Sequence, residues 1–235
     1  MKNNEFIEGL KRIGITLNDL QIEKFKKYCD FLLEYNKTTN LTAIRNEEGV
    51  YLKHFFDSAL ICKYFDFSKV NNLIDIGSGA GFPGLVLKIL YPNLKVTLLD
   101  SNNKKVKFLE KVSEILELDN VEFICDRAEN FIKNRREYYD VSIARAVSEL
   151  RIISELCLPF TKPGGNFIAM KGNYETELEA AKTTFGVLNS KIKNIYETKL
   201  TVEESNRSFI IVEVQGKIDN KYPRPYDQII KKQLK

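Results

Sequence analysis

Residues 73–84 read Leu73-Ile74-Asp75-Ile76-Gly77-Ser78-Gly79-Ala80-Gly81-Phe82-Pro83-Gly84. A short apolar run that suits a buried strand meets closely spaced glycines, and an apolar helical pattern follows over 84–90. Glycine allows positive φ and close approach of a ligand to the backbone. Pro83 suits a first helical turn, where its missing N–H costs nothing. The free N–H groups of the helix start then face the carboxyl end of the strand, which is where open α/β sheets bind ligands.

Two nucleoside cofactors compete for this loop. Gly79, Gly81 and Gly84 match G-x-G-x-x-G, the dinucleotide pattern. Counted from Gly77, the last glycine position is Phe82, and that register fails. Asp75, two residues before Gly77, would repel a pyrophosphate but suits a ligand carrying an ammonium and a sulfonium. The Asp-x-Gly-x-Gly order therefore favours S-adenosylmethionine over NAD. Asp100 ends the next apolar run, at the distance where an acid takes ribose hydroxyls in either case. Asp126-Arg127-Ala128-Glu129 forms a polar turn after the third run and can reach an adenine edge. Arg145 closes the fourth run, inside Ala144-Arg145-Ala146-Val147. Asp75, Gly77, Gly79, Asp100, Glu129 and Arg145 thus stand at successive strand ends.

Outward from the loop, apolar runs at 73–76, 95–99, 121–125, 139–144 and 166–170 alternate with helical patterns at 84–90, 104–118, 128–132 and 150–158. Such alternation predicts a parallel sheet with helices on both faces. After a helix over 175–188, runs at 191–200 and 207–215 are separated by a short turn (203–206), which predicts an antiparallel closing hairpin. The expected fold is a Rossmann-like, seven-stranded α/β S-adenosylmethionine-dependent methyltransferase fold with an N-terminal helical extension. Residues 1–66 form the extension packed on the core, 67–216 the cofactor-binding core, and 217–235 a basic tail. In the extension, Thr16 and Asp19 resemble a capping box. Leu20, Ile22, Phe25, Cys29, Leu32 and Leu33 recur at helical spacing and are expected to pack on the sheet, and 36–40 should end the helix. A second helix is expected after Asn46, with Val50, Phe55, Ala59 and Cys62 on one face.

The chain has 235 residues, 43% hydrophobic and 29% charged, with a net charge of +4. That composition suits a globular protein and is compatible with an RNA partner. No leader-type apolar segment opens the chain and no apolar run has membrane-span length, so a cytoplasmic protein without membrane contact is expected. Cys29, Cys62, Cys125 and Cys157 show no metal-ligand spacing and His54 is the one histidine, so reduced, mostly buried thiols and no metal are expected. His54 stands at helical spacing from Asp57 and is expected to bond it or a backbone carbonyl.

The chain resembles the RsmG (GidB) family of bacterial 16S rRNA methyltransferases. The resemblance runs through Asn40-Leu41-Thr42, His54-Phe55-Phe56-Asp57-Ser58, Gly81-Phe82-Pro83-Gly84, Ala144-Arg145-Ala146, Lys162-Pro163-Gly164-Gly165, Met170-Lys171-Gly172 and Lys221-Tyr222-Pro223-Arg224. It implies methyl transfer from S-adenosylmethionine to N7 of a single guanine, guanine 527, in the 530 loop of 16S rRNA. The expected partner is that rRNA within the small ribosomal subunit, and the expected state is a monomer. It also implies cofactor contacts at Gly77, Phe82, Ala128, Glu129 and Arg145. The stretch Pro225-Tyr226-Asp227-Gln228 departs from the family's usual continuation, which bears on the tail's RNA contacts.

Guanine N7 is already a lone-pair nucleophile, so no general base is needed and positioning carries the reaction. Arg145 is the expected catalytic residue, fixing cofactor or guanine. N7 lies in the narrow major groove of A-form RNA, so the target must be in a loop or splayed out. Among basic residues, Lys171, Lys221 and Arg224 are the candidate substrate contacts. From Lys217 to Lys235 there are six basic and two acidic residues. Rival readings are a small-molecule or other RNA methyltransferase of the same fold, an NAD-dependent oxidoreductase, and a non-catalytic RNA-binding protein.

Overall fold

A computed structural model describes residues 1–145, 148–200 and 205–234. Ala146, Val147 and the first half of the expected 203–206 turn lie outside the described residues. The strands are β1 (Asn72–Ile76), β2 (Lys95–Asp100), β3 (Val121–Cys125), β4 (Tyr139–Arg145), β5 (Thr161–Lys171), β6 (Ser190–Leu200) and β7 (Ser205–Val214). Their order in the sheet is β3-β2-β1-β4-β5-β7-β6. β4 runs parallel to β1 and to β5, and β3 parallel to β2. β7 pairs antiparallel with both β5 and β6. The expected mixed α/β sheet with an antiparallel closing pair is the one observed.

The contacts divide the chain into two compact units: Met1–Asn71 with Ser78–Cys125, and Asn72–Gly77 with everything from Asp126 onward. The first holds α1 (Asn3–Arg12), α2 (Asp19–Thr39), α3 (Glu47–Gly49), a π-helical stretch (Val50–Phe56), α4 (Asp57–Ala59), α5 (Gly84–Leu90) and α6 (Asn103–Ile115), with β2 and β3. The cap of α2 is Asn18, not Thr16: its side chain accepts from Gln21 N–H at 2.9 Å, and Gln21 Oε1 accepts from Asn18 N–H at 3.1 Å. An Asn-x-x-Gln box satisfies the same two orphan donors as Thr-x-x-Asp would. Gln21 Nε2 also donates to the Ile89 carbonyl at 2.8 Å, tying α2 to the end of α5. Asn40, left-handed at φ 51°, ends α2 within the polar stretch read as its terminus.

α2 packs against α5 and α6. Phe25, Cys29 and Leu32 of its expected stripe are buried, whereas Leu20 is exposed. The face is filled by rings: Phe6 and Phe25 meet at 5.0 Å, Phe25 and Phe55 at 5.1 Å, Tyr28 and Phe55 at 5.1 Å. Each fully buried ring of this kind stabilises by about 1.5–3 kcal/mol through the apolar area removed from water.

The second unit holds β1, β4 to β7, α7 (Ala128–Phe131), α8 (Leu150–Cys157), α9 (Glu175–Val187) and α10 (Tyr226–Lys231). β5 begins five residues before the expected 166, because Thr161 pairs with Tyr139 across an irregular step and its hydroxyl lies 2.7 Å from that of Ser142. Residues 217–234, the described part of the expected basic tail, are packed: Ile218, Tyr222 and Ile229 are buried, and α10 lies on α8. Apolar side chains spaced between the lysines supply that attachment. No helix among the described residues is long and apolar enough to cross a membrane.

Candidate active site

The glycine loop belongs to the first unit from Ser78 onward. Gly79 and Gly81 have φ of 59° and 94°. Gly79 N–H donates to Asp100 Oδ2 at 3.0 Å, and Asn102 N–H donates to Oδ1 of the same carboxylate at 2.9 Å. Lys105 stands 3.5 Å from Oδ2. Asp100 thus sets the loop and still has lone pairs to accept hydroxyl protons, since a carboxylate offers about four acceptor sites.

The loop is braced from α2. The Tyr28 hydroxyl donates to the Ala80 carbonyl. A Cβ on Gly81 would lie 2.5 Å from that hydroxyl oxygen and 2.7 Å from Leu85 Cδ1, so only glycine fits. Pro83 stands one residue before α5, as its cap, after a cis peptide bond. Phe82, buried, stacks on Tyr28 at 5.6 Å and on His54 at 4.3 Å. His54 Nε2 is 2.8 Å from Thr42 Oγ1. One partner of His54 is therefore a hydroxyl from the Asn40-Leu41-Thr42 loop, alongside its stack on Phe82.

In the second unit, Asp75 of β1 pairs with Ile143 of β4. Two residues further along each strand come Gly77, at φ 73°, and Arg145. Both end at the carboxyl rim where β1 and β4 adjoin, the switch-point position of such sheets. Asp75 is fully buried, and burial together with the Asp75 carboxylate pushes the Cys157 thiol well above its ordinary range. It has no exposed atom to offer a ligand, so its influence there is through its field. Ala128 and Glu129 open α7. Glu129 is mostly buried and lies 3.8 Å from Arg127.

The three basic candidates are each engaged. Lys171 pairs with Glu177 at 2.8 Å and donates to the Ser148 carbonyl at 2.8 Å. Lys221, exposed, pairs with Asp219 at 3.1 Å. Arg224 is clamped on Glu155, Nε to Oε1 at 2.8 Å and Nη2 to Oε2 at 2.7 Å. Tyr28, the loop brace, was not singled out in the sequence. Its position between Phe25 and Leu32 on the buried stripe was the signal. The cysteines are free; Cys29 and Cys157 are buried, but Cys125 at the end of β3 is exposed. Among the described residues no group of three or more His, Cys, Asp or Glu is placed to hold a metal ion.

Solved structures sharing this fold include the mitomycin 7-O-methyltransferase MmcR (TM-score 0.57, 13% identity, 79% of this chain and 60% of that one). They also include the [4+2]-cyclase SpnF (0.55, 14%, 68% and 81%) and the YcgJ protein of Bacillus subtilis (0.54, 12%, 70% and 100%). A cyclase among them shows that the fold alone does not fix the chemistry. Sequence relatives are closer. The chain is 49% identical over 227 residues to the ribosomal RNA small subunit methyltransferase G of Lysinibacillus sphaericus and 46% to that of Bacillus subtilis, covering 95% of each chain. The family model described as rRNA small subunit methyltransferase G (GidB) matches residues 21–207, and this chain belongs to that family.

Proposed function

We propose that this chain transfers a methyl group from S-adenosylmethionine to small-subunit ribosomal RNA, at N7 of a guanine in the 530 loop of 16S rRNA. The observation that carries the reading is the Asp100–Gly79 hydrogen bond, which folds a glycine loop onto an acid with acceptor sites to spare for ribose hydroxyls. The close relatives named as small-subunit rRNA methyltransferases support the acceptor.

The cofactor, when bound, supplies an electrophilic methyl on a sulfonium. Asp100 accepts from the ribose. Gly77, Gly79 and Phe82 line the loop, Ala128 and Glu129 take the adenine side, and the buried Asp75 carboxylate favours the cationic end through its field. Arg145 orients cofactor or guanine at the β4 end. No residue is asked to remove a proton, because N7 presents a lone pair. The rate then rests on holding nucleophile and methyl carbon in line.

The same reading has the protein acting as a monomer in the cytoplasm on small ribosomal subunits; light scattering after size-exclusion chromatography checks the monomer. The deciding experiment offers tritiated S-adenosylmethionine and the enzyme to small subunits from a strain lacking the modification, and maps the label. Label at N7 of one 530-loop guanine is expected. Tight cofactor binding with unlabelled rRNA would redirect the search to another acceptor.

A further inference from the structure

An open cavity of about 270 Å³ lies in the second unit, lined by Gly172, Asn173, Tyr174, Glu197, Lys199 and Arg207, among others. Its residues 172–175 follow directly on the carboxyl end of β5. β1, β4 and β5 run the same way, so this is the rim that also carries Gly77 and Arg145. Neighbouring strands lie ≈ 4.8 Å apart, which sets the cavity within a few strands of Arg145 along that rim.

The floor of the cavity is built. Lys171, held by Glu177 and the Ser148 carbonyl, fixes the end of β5. The Ser208 hydroxyl donates to the Gly172 carbonyl at 2.9 Å, and Asn206 Nδ2 donates to Asn173 Oδ1 at 3.3 Å, joining the start of β7 to the same loop. The Tyr174 hydroxyl donates to Glu197 Oε1 at 2.6 Å, which holds the phenol against β6 and pushes its ionisation up to about 12, so it stays a neutral donor.

The lining chemistry restricts the occupant. Two cations, Lys199 and Arg207, stand with two carboxylates, Glu175 and Glu197. A free polyanion would meet both acids. An uncharged, apolar acceptor would draw nothing from the two cations and two carboxylates of the lining. A nucleotide within an RNA chain suits the mixture: one or two phosphates for the cations, a π-face for Tyr174, and base-edge donors and acceptors for the carboxylates and the Asn173 and Asn206 amides. Guanine offers a carboxylate adjacent N–H donors on its Watson–Crick edge.

We infer that this cavity receives one unstacked nucleotide of the substrate RNA, with a guanine edge on Glu197, its ring on Tyr174 and its phosphate toward Lys199 and Arg207. The inference rests on the rRNA methyltransferase reading above and adds to it the place where the acceptor is gripped.

The test is steady-state methylation of unmodified small subunits by the full chain, with cofactor affinity measured by calorimetry for every variant. Tyr174→Ala and Glu197→Gln are expected to raise the KM for subunits about tenfold, the scale of one lost base stack or base-edge pair, with the cofactor Kd within about twofold of wild type. Tyr174→Phe, which keeps the ring, is expected to restore most of the KM. Wild-type KM in Tyr174→Ala and Glu197→Gln, while the parent enzyme labels subunits normally, overturns the cavity's role and leaves the methyltransferase reading intact. A parent enzyme that binds cofactor and labels no rRNA overturns both.

Discussion

The imidazole of His54 lies flat on the ring of Phe82, centres 4.3 Å apart and planes 9° from parallel. His54 sits in the π-helical Val50–Phe56, a wider turn that occurs in proteins mostly as short bulges at functional sites. Its Nε2 is pinned by Thr42, so the ring is a fixed plate against the glycine loop. A stacked pair contributes roughly 0.5–1.5 kcal/mol, which corresponds to as much as about a tenfold change in an equilibrium constant. His54→Ala is therefore expected to weaken S-adenosylmethionine binding up to about tenfold. His54→Phe should retain most of the affinity and Thr42→Val should fall between. Calorimetric titration decides it; wild-type affinity in His54→Ala would remove His54 from the cofactor site's support.

Gly81→Ala faces two penalties at once: a left-handed backbone, and a Cβ driven against Tyr28 and Leu85. Strain of this kind costs about 1–3 kcal/mol and overpacking a similar amount. Urea unfolding should show a loss of about 2–4 kcal/mol, and the same substitution made with Tyr28→Phe should recover part of it.

The Glu155–Arg224 clamp separates a structural tail from an RNA-binding one. Glu155 is 1% exposed and Arg224 20%. Removing the arginine leaves a buried carboxylate without its cation, which typically costs about 3–5 kcal/mol. Arg224→Ala should lower the urea midpoint sharply. Arg224→Met combined with Glu155→Leu should restore much of the stability, and should leave the KM for subunits near that of wild type if the arginine serves only the fold.

Thiol chemistry should follow burial. Cys62 is pushed up to about 12 and Cys157 well above the ordinary range, in both cases chiefly by burial, so neither presents thiolate near neutrality. Cys125 is exposed. Mass spectrometry after brief iodoacetamide treatment should find label on Cys125 first, and on Cys157 only after unfolding. Early modification of Cys157 would show that the region around Asp75 opens readily.

The sequence carries local information well. β3 and α5 fall on the residues expected, because turn formers or glycine and proline bound each of them. β5 extends further than its apolar run, because the chain keeps pairing across Pro163-Gly164-Gly165 back to Thr161 through an irregular step. The successive strand-end residues around Gly77, Asp100 and Arg145 were legible for the same local reason: each closes an apolar run. What was not legible depends on distant partners. Thr42 and His54 are twelve residues apart and face each other through a π-turn that no 3.6-residue period announces. Arg224 finds Glu155 across 69 residues, and no charge pattern reveals that. The cavity beside Tyr174 gathers residues from the stretch after β5 and from β6 and β7, which only the hairpin brings into register.

β6 closes one side of the sheet, and it is built to be left alone. Its pairing with β7 shifts register between Ile192 and Asn194, and its exposed positions carry Lys191, Lys193 and Lys199. A flat, apolar border strand would offer its free amides and carbonyls to any passing extended segment. A kinked border with lysines along it refuses that pairing, so the edge does not template aggregation. Exchanging Lys191 and Lys193 for valine should make the protein self-associate on standing, long before its thermal stability changes.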